Sequence, residues 1–184
     1  MCNAFNKKFL DEAAKVNESS DQNFLKEDTQ HERFMNEAIK LAIQGVEKNE
    51  GGPFGCIIVK DGKIIGKGNN KVTSTNDPSA HAEITAIREA CTHLNSYQLN
   101  GCTIYTSCEP CPMCLGAIYW ARPDKVFYAS NKKDAAKSGF DDDFIYQELK
   151  VELDKRTIPF KQIGRNSSLK AFKIWDEKED KTEY

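Results

Sequence analysis

The feature that most constrains this chain is a pair of short segments that carry metal-binding side chains. The first is His81-Ala82-Glu83 and the second is Pro110-Cys111-Pro112-Met113-Cys114. Imidazole and thiolate groups are preferred ligands of zinc, and a catalytic zinc takes three protein ligands and keeps one position open. The two segments therefore predict a zinc site made of His81, Cys111 and Cys114, in a fold that brings the segments together.

Each segment is expected near the start of a helix. Asn76 to Ser79 supply turn and helix-start residues, and Pro112 suits the first turn of a second helix. Cys111 and Cys114 are three residues apart, so their sulfurs would point the same way from one helical turn. The partial positive charge at a helix start favours thiolates there.

Glu83 follows His81 by two residues, close to the predicted metal without being a ligand. A carboxylate in this position can accept a proton from a water molecule and return it to a leaving group. The combination of H-x-E with P-C-x-x-C matches the signature of zinc-dependent nucleobase deaminases. Either half alone is weak evidence, and Cys108 could close the site as a fourth ligand. The alternative is therefore a non-catalytic, zinc-stabilised module, in which Glu83 would have no function.

Composition narrows the class of protein. The chain has 184 residues, a net charge of -2 at pH 7 and 39% hydrophobic residues, which fits one globular domain with no general attraction to nucleic acid. No apolar run reaches the roughly 18 residues of a membrane span. The start of the chain lacks the features of a secretory signal or a transit peptide. Seven cysteines do not suggest a disulfide framework, and we expect a cytoplasmic protein.

Residues 1–30 form a polar N-terminal extension, in which Phe5, Phe9, Ala13 and Val16 have helical spacing. Residues 31–184 form the predicted domain. Its elements, in chain order, are a helix over Met35–Val46, strands at Cys56–Val59 and Ile64–Ile65, a helix over Ala80–Cys91, a strand at Cys102–Thr106, a helix over Pro112–Trp120, a strand at Val126–Ala129, a helix over Asp141–Leu149, an extended run at Ile158–Ile163 and a helix over Leu169–Trp175. This order predicts a three-layer α/β/α domain, with a mixed sheet covered by helices on both faces.

From about Phe34 to Tyr184 the chain resembles the bacterial-type guanine deaminases of the cytidine-deaminase-like group. The resemblance is carried by the zinc segments and by four further runs. These runs are Gly51-Gly52-Pro53-Phe54-Gly55, Asn76-Asp77-Pro78-Ser79-Ala80, Trp120-Ala121-Arg122-Pro123 and Gly139-Phe140-Asp141-Asp142. It implies Zn²⁺ as cofactor and hydrolysis of guanine, a small purine base, to xanthine and ammonia. It gives the N-terminal extension no role.

The resemblance also implies roles for individual residues. Asn70 would hydrogen-bond the purine ring, Phe54 and Trp120 would contact its faces or edges, and the backbone after His81, at Ala82, would contribute to binding. Asp142 would move protons beside Glu83, although Asp141 or Asp143 could take this role. The family further implies a homodimer in which residues 168–184 are exchanged, so that Tyr184 reaches the active site of the other subunit.

Two other substrates remain open at the level of sequence. A guanosine deaminase would carry the same Gly-Phe-Asp-Asp segment and differ in the space beside the base. A tRNA-specific adenosine deaminase would carry the same zinc segments but would need basic residues to contact phosphates. In this sequence the basic residues are dispersed among acids, and after the extension they are adjacent only at Lys132-Lys133 and Lys155-Arg156. Guanine is therefore the expected substrate.

Overall fold

The computed structural model describes residues 29–183 of the chain. The helical spacing predicted between Phe5 and Val16, and the predicted active-site residue Tyr184, lie outside these residues. Within the described range, no helix is long and apolar enough to cross a membrane.

A four-stranded mixed sheet forms the centre of the domain. Its strands are β1 (Gly55–Lys60), β2 (Lys63–Asn69), β3 (Cys102–Cys108) and β4 (Lys125–Ser130), in the spatial order β2-β1-β3-β4. β1 pairs antiparallel with β2 and β3, whereas β3 and β4 are parallel. The predicted β1–β2 hairpin is confirmed. It turns at Asp61 and Gly62, whose φ angles of 49° and 71° are those that an Asp-Gly hairpin turn requires.

The first helix, α1 (residues 29–47), covers one face of the sheet. Phe34 and Ala38 of α1 pack in a buried cluster with Ile57, Val59 and Tyr105 of the strands. At Gly55, an added Cβ would lie 2.1 Å from the backbone oxygen of Ala38. Only glycine therefore lets α1 approach β1 this closely.

Helices α3 (Ala82–Leu94) and α4 (Pro112–Ala121) cover the opposite face. The side of α3 that meets the sheet is built from small residues. These are the fully buried Ala82, Ala86 and Ala90. Their short side chains bring the helix start down onto β1 and β2. With helices on both faces of a mixed sheet, the predicted three-layer α/β/α architecture is confirmed.

The part of the chain after β4 differs most from the sequence-based expectations. The two helices predicted there, over Asp141–Leu149 and Leu169–Trp175, form with all four bounds shifted, as α6 (Asp143–Glu148) and α7 (Arg165–Glu177). Helix α5 (Lys132–Lys137) and a 3-10 turn at Leu153–Lys155 were not predicted, and neither was the short helix α2 (Val72–Thr75), which precedes α3. The extended run Ile158–Ile163 forms no strand. A strand needs a neighbour for its backbone hydrogen bonds, and this run has none within the described chain.

Candidate active site

The three predicted zinc ligands lie together. The sulfurs of Cys111 and Cys114 are each 3.5 Å from Nδ1 of His81. Their ligand atoms form the one group of three or more His, Cys, Asp or Glu residues in the range 29–183 that is compact enough to hold a metal ion. Cys108 is not part of this group.

Backbone geometry explains how two distant segments supply one site. His81 is the N-cap residue of α3 and Cys111 is the N-cap residue of α4, both with extended backbone angles. N-cap side chains usually bond to the first helical N–H groups. Neither His81 nor Cys111 does so, and each side chain is directed instead toward the other. The starts of both helices therefore converge on one point, where their partial positive charges favour thiolates.

The ionisation of these groups is coupled. Hydrogen bonding from Cys114, together with that from His81, lowers the pKa of the Cys111 thiol to about 4. The bond to Cys111 raises the pKa of His81. The pKa of Cys114 is raised because its thiol donates to Cys111 and is also buried. A divalent cation that binds to these three groups would displace the protons for which they compete.

The geometry fits zinc. Zn–S bonds of about 2.3 Å and Zn–N bonds of about 2.0–2.1 Å, at a tetrahedral angle, place sulfur and nitrogen about 3.6 Å apart. The observed separations of 3.5 Å agree with that value. Burial raises the pKa of the Cys108 thiol to about 11, and its sulfur lies outside the group of ligand atoms that could share a metal ion. Its sulfur donates to the carbonyl oxygen of Asn131 at 3.7 Å. The described ligand set is therefore the open, three-ligand kind.

Glu83 lies beside this cluster. Its side chain is only 5% exposed, and burial raises its pKa. The Cys114 sulfur lies 3.4 Å from Oε2, and the Thr106 hydroxyl donates to Oε1 at 3.4 Å. The carboxylate is thus held between the metal ligands and β3, where it can exchange protons with a group bound next to the metal.

A cavity of about 340 Å³ opens beside the cluster. Its lining combines His81, Cys111 and Glu83 with residues from four other parts of the chain. The others are Gly52, Phe54, Asn70, Val72, Thr73, Cys108, Glu109, Lys132, Ala135, Gly139, Phe140, Asp141, Asp142, Phe144 and Ile145. The volume is sufficient for a planar bicyclic ring, and the mixture of apolar walls with a few polar groups is typical of small-molecule sites.

Three predicted pocket residues line this cavity. Phe54 meets Phe140 edge to face, with ring centroids 5.0 Å apart. Asn70 is 5% exposed. Asp142 is the N-cap residue of α6 but makes no side-chain capping bond, and partial burial followed by the Cys111 charge raises its pKa. Asp141 also lines the cavity, whereas Asp143 does not.

Trp120 and Ala82 do not line the cavity of their own chain. Trp120 is 64% exposed and borders a separate groove with Ala171, Phe172, Trp175 and Glu183. It follows Cys114 by six residues, which turns it about 120° around α4 from the metal side. Ala82 is the first residue of α3 and is fully buried in the core.

Several site residues were not found from the sequence. Thr106 of β3 contacts Glu83 only in the folded chain, and nothing near it in the sequence indicates this. Glu109 lines the cavity and its Oε2 accepts from the backbone N–H of Lys132 at 3.1 Å. The ammonium of Lys132 lies 4.5 Å from the ring centroid of Tyr146, which places a positive charge at the cavity wall. Three acidic residues line the cavity, namely Glu109, Asp141 and Asp142. Their place in the Glu-Pro-Cys and Gly-Phe-Asp-Asp segments was the only indication of this in the sequence.

Comparison with known proteins agrees with this geometry. Residues 28–130 match the model of the cytidine and deoxycytidylate deaminase zinc-binding region. The chain is 57% identical over 154 residues to guanine deaminase of Bacillus subtilis, covering 84% of this chain and 99% of that protein. It is 45% identical over 102 residues to a tRNA-specific adenosine deaminase of Aquifex aeolicus, covering 55% of this chain and 67% of that protein.

Solved structures give the same result. The crystal structure of Bacillus subtilis guanine deaminase superimposes with a TM-score of 0.82, covering 84% of this chain and 98% of that chain. A guanine deaminase of Nitrosomonas europaea superimposes with a TM-score of 0.57 at 30% identity, covering 59% of this chain and 63% of that one. The chain belongs to the family of zinc-binding cytidine and deoxycytidylate deaminases.

Proposed function

We propose that this protein is a guanine deaminase, which hydrolyses guanine to xanthine and ammonia with the help of Zn²⁺. The observation that carries the reaction class is the buried carboxylate of Glu83, 3.4 Å from the sulfur of Cys114 in a three-ligand cluster. A structural metal site has no use for such a carboxylate. The similarity to the Bacillus subtilis enzyme, along 99% of that protein, supports guanine as the substrate.

His81, Cys111 and Cys114 hold the metal in this proposal. When bound, zinc acidifies a water molecule and so supplies a nucleophile at neutral pH. Glu83 accepts the proton of that water and delivers one to N3 of the ring, next to the attacked carbon C2. The oxygen added at C2 then loses its remaining proton, the amino group takes up a proton, and the bond from C2 to that nitrogen breaks. Ammonia leaves, and the added oxygen becomes the new carbonyl oxygen of xanthine. The burial that raises the pKa of Glu83 suits a group that both accepts and donates protons.

The cavity residues orient the base. The ring of Phe54, fixed edge to face against Phe140, lies along one wall. Asn70 lines the same cavity and would offer its side-chain amide to the ring. Asp142, whose side chain is free of capping bonds, would exchange protons with the exocyclic amino group. Asp141 also lines the cavity and is the alternative for that role.

The substrate assignment predicts a clear order of rates. Guanine should release ammonia at least about 100-fold faster than adenine or cytosine, because polar groups left unpaired in a closed pocket penalise the wrong ring. Ammonia release from guanine, guanosine, adenine and cytosine, measured side by side, checks this. Faster release from guanosine would make the protein a nucleoside deaminase with the same zinc chemistry. Activity only on a tRNA anticodon stem-loop would reject the proposal.

The proposal includes a homodimer that exchanges its carboxyl-terminal segment, residues 168–184. Support comes from the surface of the chain after α6. Of residues 149–183, all but Arg156 and Lys181 are exposed, including Ile163 at 83% and Ile174 at 68%. So much exposed apolar surface indicates a partner. In a symmetric dimer, Trp120 and Tyr184 of each subunit would complete the cavity of the other.

Truncation tests the exchanged segment. Deleting residues 176–184 is expected to lower turnover of guanine on the order of 100-fold, because the base would lose groups that hold it in place. The zinc content should stay the same. Deleting residues 1–28 is the matched control and should leave turnover unchanged. Normal turnover by the carboxyl-terminal truncation would show that residues 176–184, including Tyr184, are not needed for activity.

We also propose that the protein works in the cytoplasm. The six cysteines within the described range, from Cys56 to Cys114, are all free thiols. A site built on two thiolates depends on a compartment that keeps thiols reduced.

A further inference from the structure

Within residues 29–183, Asn70 is held at only one end of its side-chain amide. Its Oδ1 accepts two backbone hydrogen bonds, from the N–H of Gly52 and from the N–H of Val72, each at 3.2 Å. A donor N–H must face a carbonyl oxygen, so these two bonds fix which end of the amide is which. The NH₂ end is therefore the end left for the cavity that Asn70 lines.

Gly51 makes this arrangement possible, although it does not line the cavity itself. An added Cβ at Gly51 would lie 2.3 Å from Oδ1 of Asn70 and 2.5 Å from its backbone oxygen. Contacts under 3.0 Å force one of the two groups to move. The loop has little freedom to do so, because the carbonyl oxygen of Glu50 accepts bonds from the N–H of Ser74 and the hydroxyl of Thr73, both at 3.3 Å.

We propose that Gly51 is the positioning residue that sets the orientation of the Asn70 amide, so that the cavity presents a hydrogen-bond donor to the bound ring. This inference rests on the proposed function in one respect, namely that the ligand is a base with an acceptor on that edge. Gly51 thereby contributes to specificity from outside the cavity. A ring that presents a hydrogen-bond donor at this position would face the NH₂ group of Asn70, also a donor, and would bind more weakly.

A second role for Asn70 has to be separated from this one. The bond from the Val72 N–H to Oδ1 is a local turn of the kind that both Asn and Asp form well. If Asn70 served only this turn, Asn70→Asp would be nearly neutral. In our proposal the same change keeps an oxygen for Gly52 and Val72 but replaces the donor in the cavity by a charged acceptor.

The test combines Gly51→Ala, Asn70→Asp, Asn70→Ala and the double variant Gly51→Ala/Asn70→Ala, with Gly116→Ala as the control. No atom lies within 4 Å of a Cβ added at Gly116. Gly51→Ala is expected to raise KM for guanine about 10- to 100-fold, the effect of one lost buried hydrogen bond, with a smaller change in kcat. Asn70→Asp should raise KM at least as much. Zinc content should stay at that of the wild type in all variants.

The double variant decides whether Gly51 acts through Asn70. Once Asn70 is alanine, Gly51→Ala should change kcat/KM by less than about threefold, since the group that it positions is gone. Equal losses in both backgrounds, or a neutral Asn70→Asp, would overturn the inference. A wild type that is inactive on guanine would overturn the proposed function instead.

A measurement without substrate tests the inference about Gly51 independently of the proposed function. The side-chain NH₂ signals of Asn70 are identified in an amide NMR spectrum by their loss in Asn70→Asp. These signals should move in Gly51→Ala and stay in place in Gly116→Ala. Unchanged signals in Gly51→Ala would show that the glycine does not set the position of the amide.

Discussion

Glu83→Gln is expected to retain zinc and to bind guanine, yet to lose at least about 10²- to 10⁴-fold in kcat, the usual contribution of general acid–base catalysis. The amide has the size and shape of the carboxylate and can keep the contact with Thr106. It cannot accept a proton from water. Because one carboxylate serves several proton transfers in the proposed reaction, the loss should lie at the upper end of this range.

Glu89→Gln is the matched control for this variant. Glu89 lies on the same helix, and its Oε2 accepts from the backbone N–H of Lys67 at 3.1 Å, away from the cavity. It should therefore change turnover little. Steady-state kinetics, with the metal content measured on the same samples, separate loss of catalysis from loss of zinc. Turnover close to that of the wild type in Glu83→Gln would show that the proton is carried by another residue, and Asp142 would be the first candidate.

Cys111→Ala is expected to remove both zinc and activity. The change deletes one of three protein ligands, and even outer-shell changes around a metal typically lower its affinity 10- to 100-fold. It also deletes the thiolate that interacts with both of the other ligands, His81 and Cys114. Metal analysis of the purified variant should find most of the zinc gone.

Cys108→Ala distinguishes this three-ligand site from a closed, structural one. The thiol of Cys108 is the nearest additional sulfur in the sequence, but it is not among the ligand atoms that lie close enough together to share a metal ion. We therefore expect Cys108→Ala to retain zinc at the level of the wild type. Loss of zinc in this variant as well would indicate a four-ligand site with no position open for water, which cannot perform the proposed chemistry.

The central layers of the fold could be predicted because their signals are local. The Asp61-Gly62 turn marks the β1–β2 hairpin, and Pro112 marks the start of α4. The zinc ligands were found in the same way, since each half of the site is a short segment at the start of a helix. The structure adds the reason why the halves meet, which is that both ligand-bearing residues are N-caps of helices on the same face of the sheet.

Features that depend on tertiary contacts could not be predicted. Helix α2 is the four residues Val72–Thr75, which have weak helix propensity and are held by bonds to the carbonyl oxygen of Glu50. The side of the molecule on which Trp120 lies depends on how α4 is rotated about its axis. The sequence of α4 is apolar on all sides, so it does not indicate that rotation. Ile158–Ile163 was expected to be extended, but forms no strand because no neighbouring strand lies beside it in this chain.

The central claim is that this chain deaminates guanine with a metal held by His81, Cys111 and Cys114. The most direct measurement follows ammonia and xanthine formed from guanine by the purified full-length protein, first as isolated, then after removal of zinc by a chelator, and finally after zinc is restored. The account predicts equal amounts of ammonia and xanthine, loss of both products without zinc, and recovery on its return. Release of ammonia at an unchanged rate by protein stripped of zinc, or no release from guanine by protein that carries one zinc per chain, would contradict it.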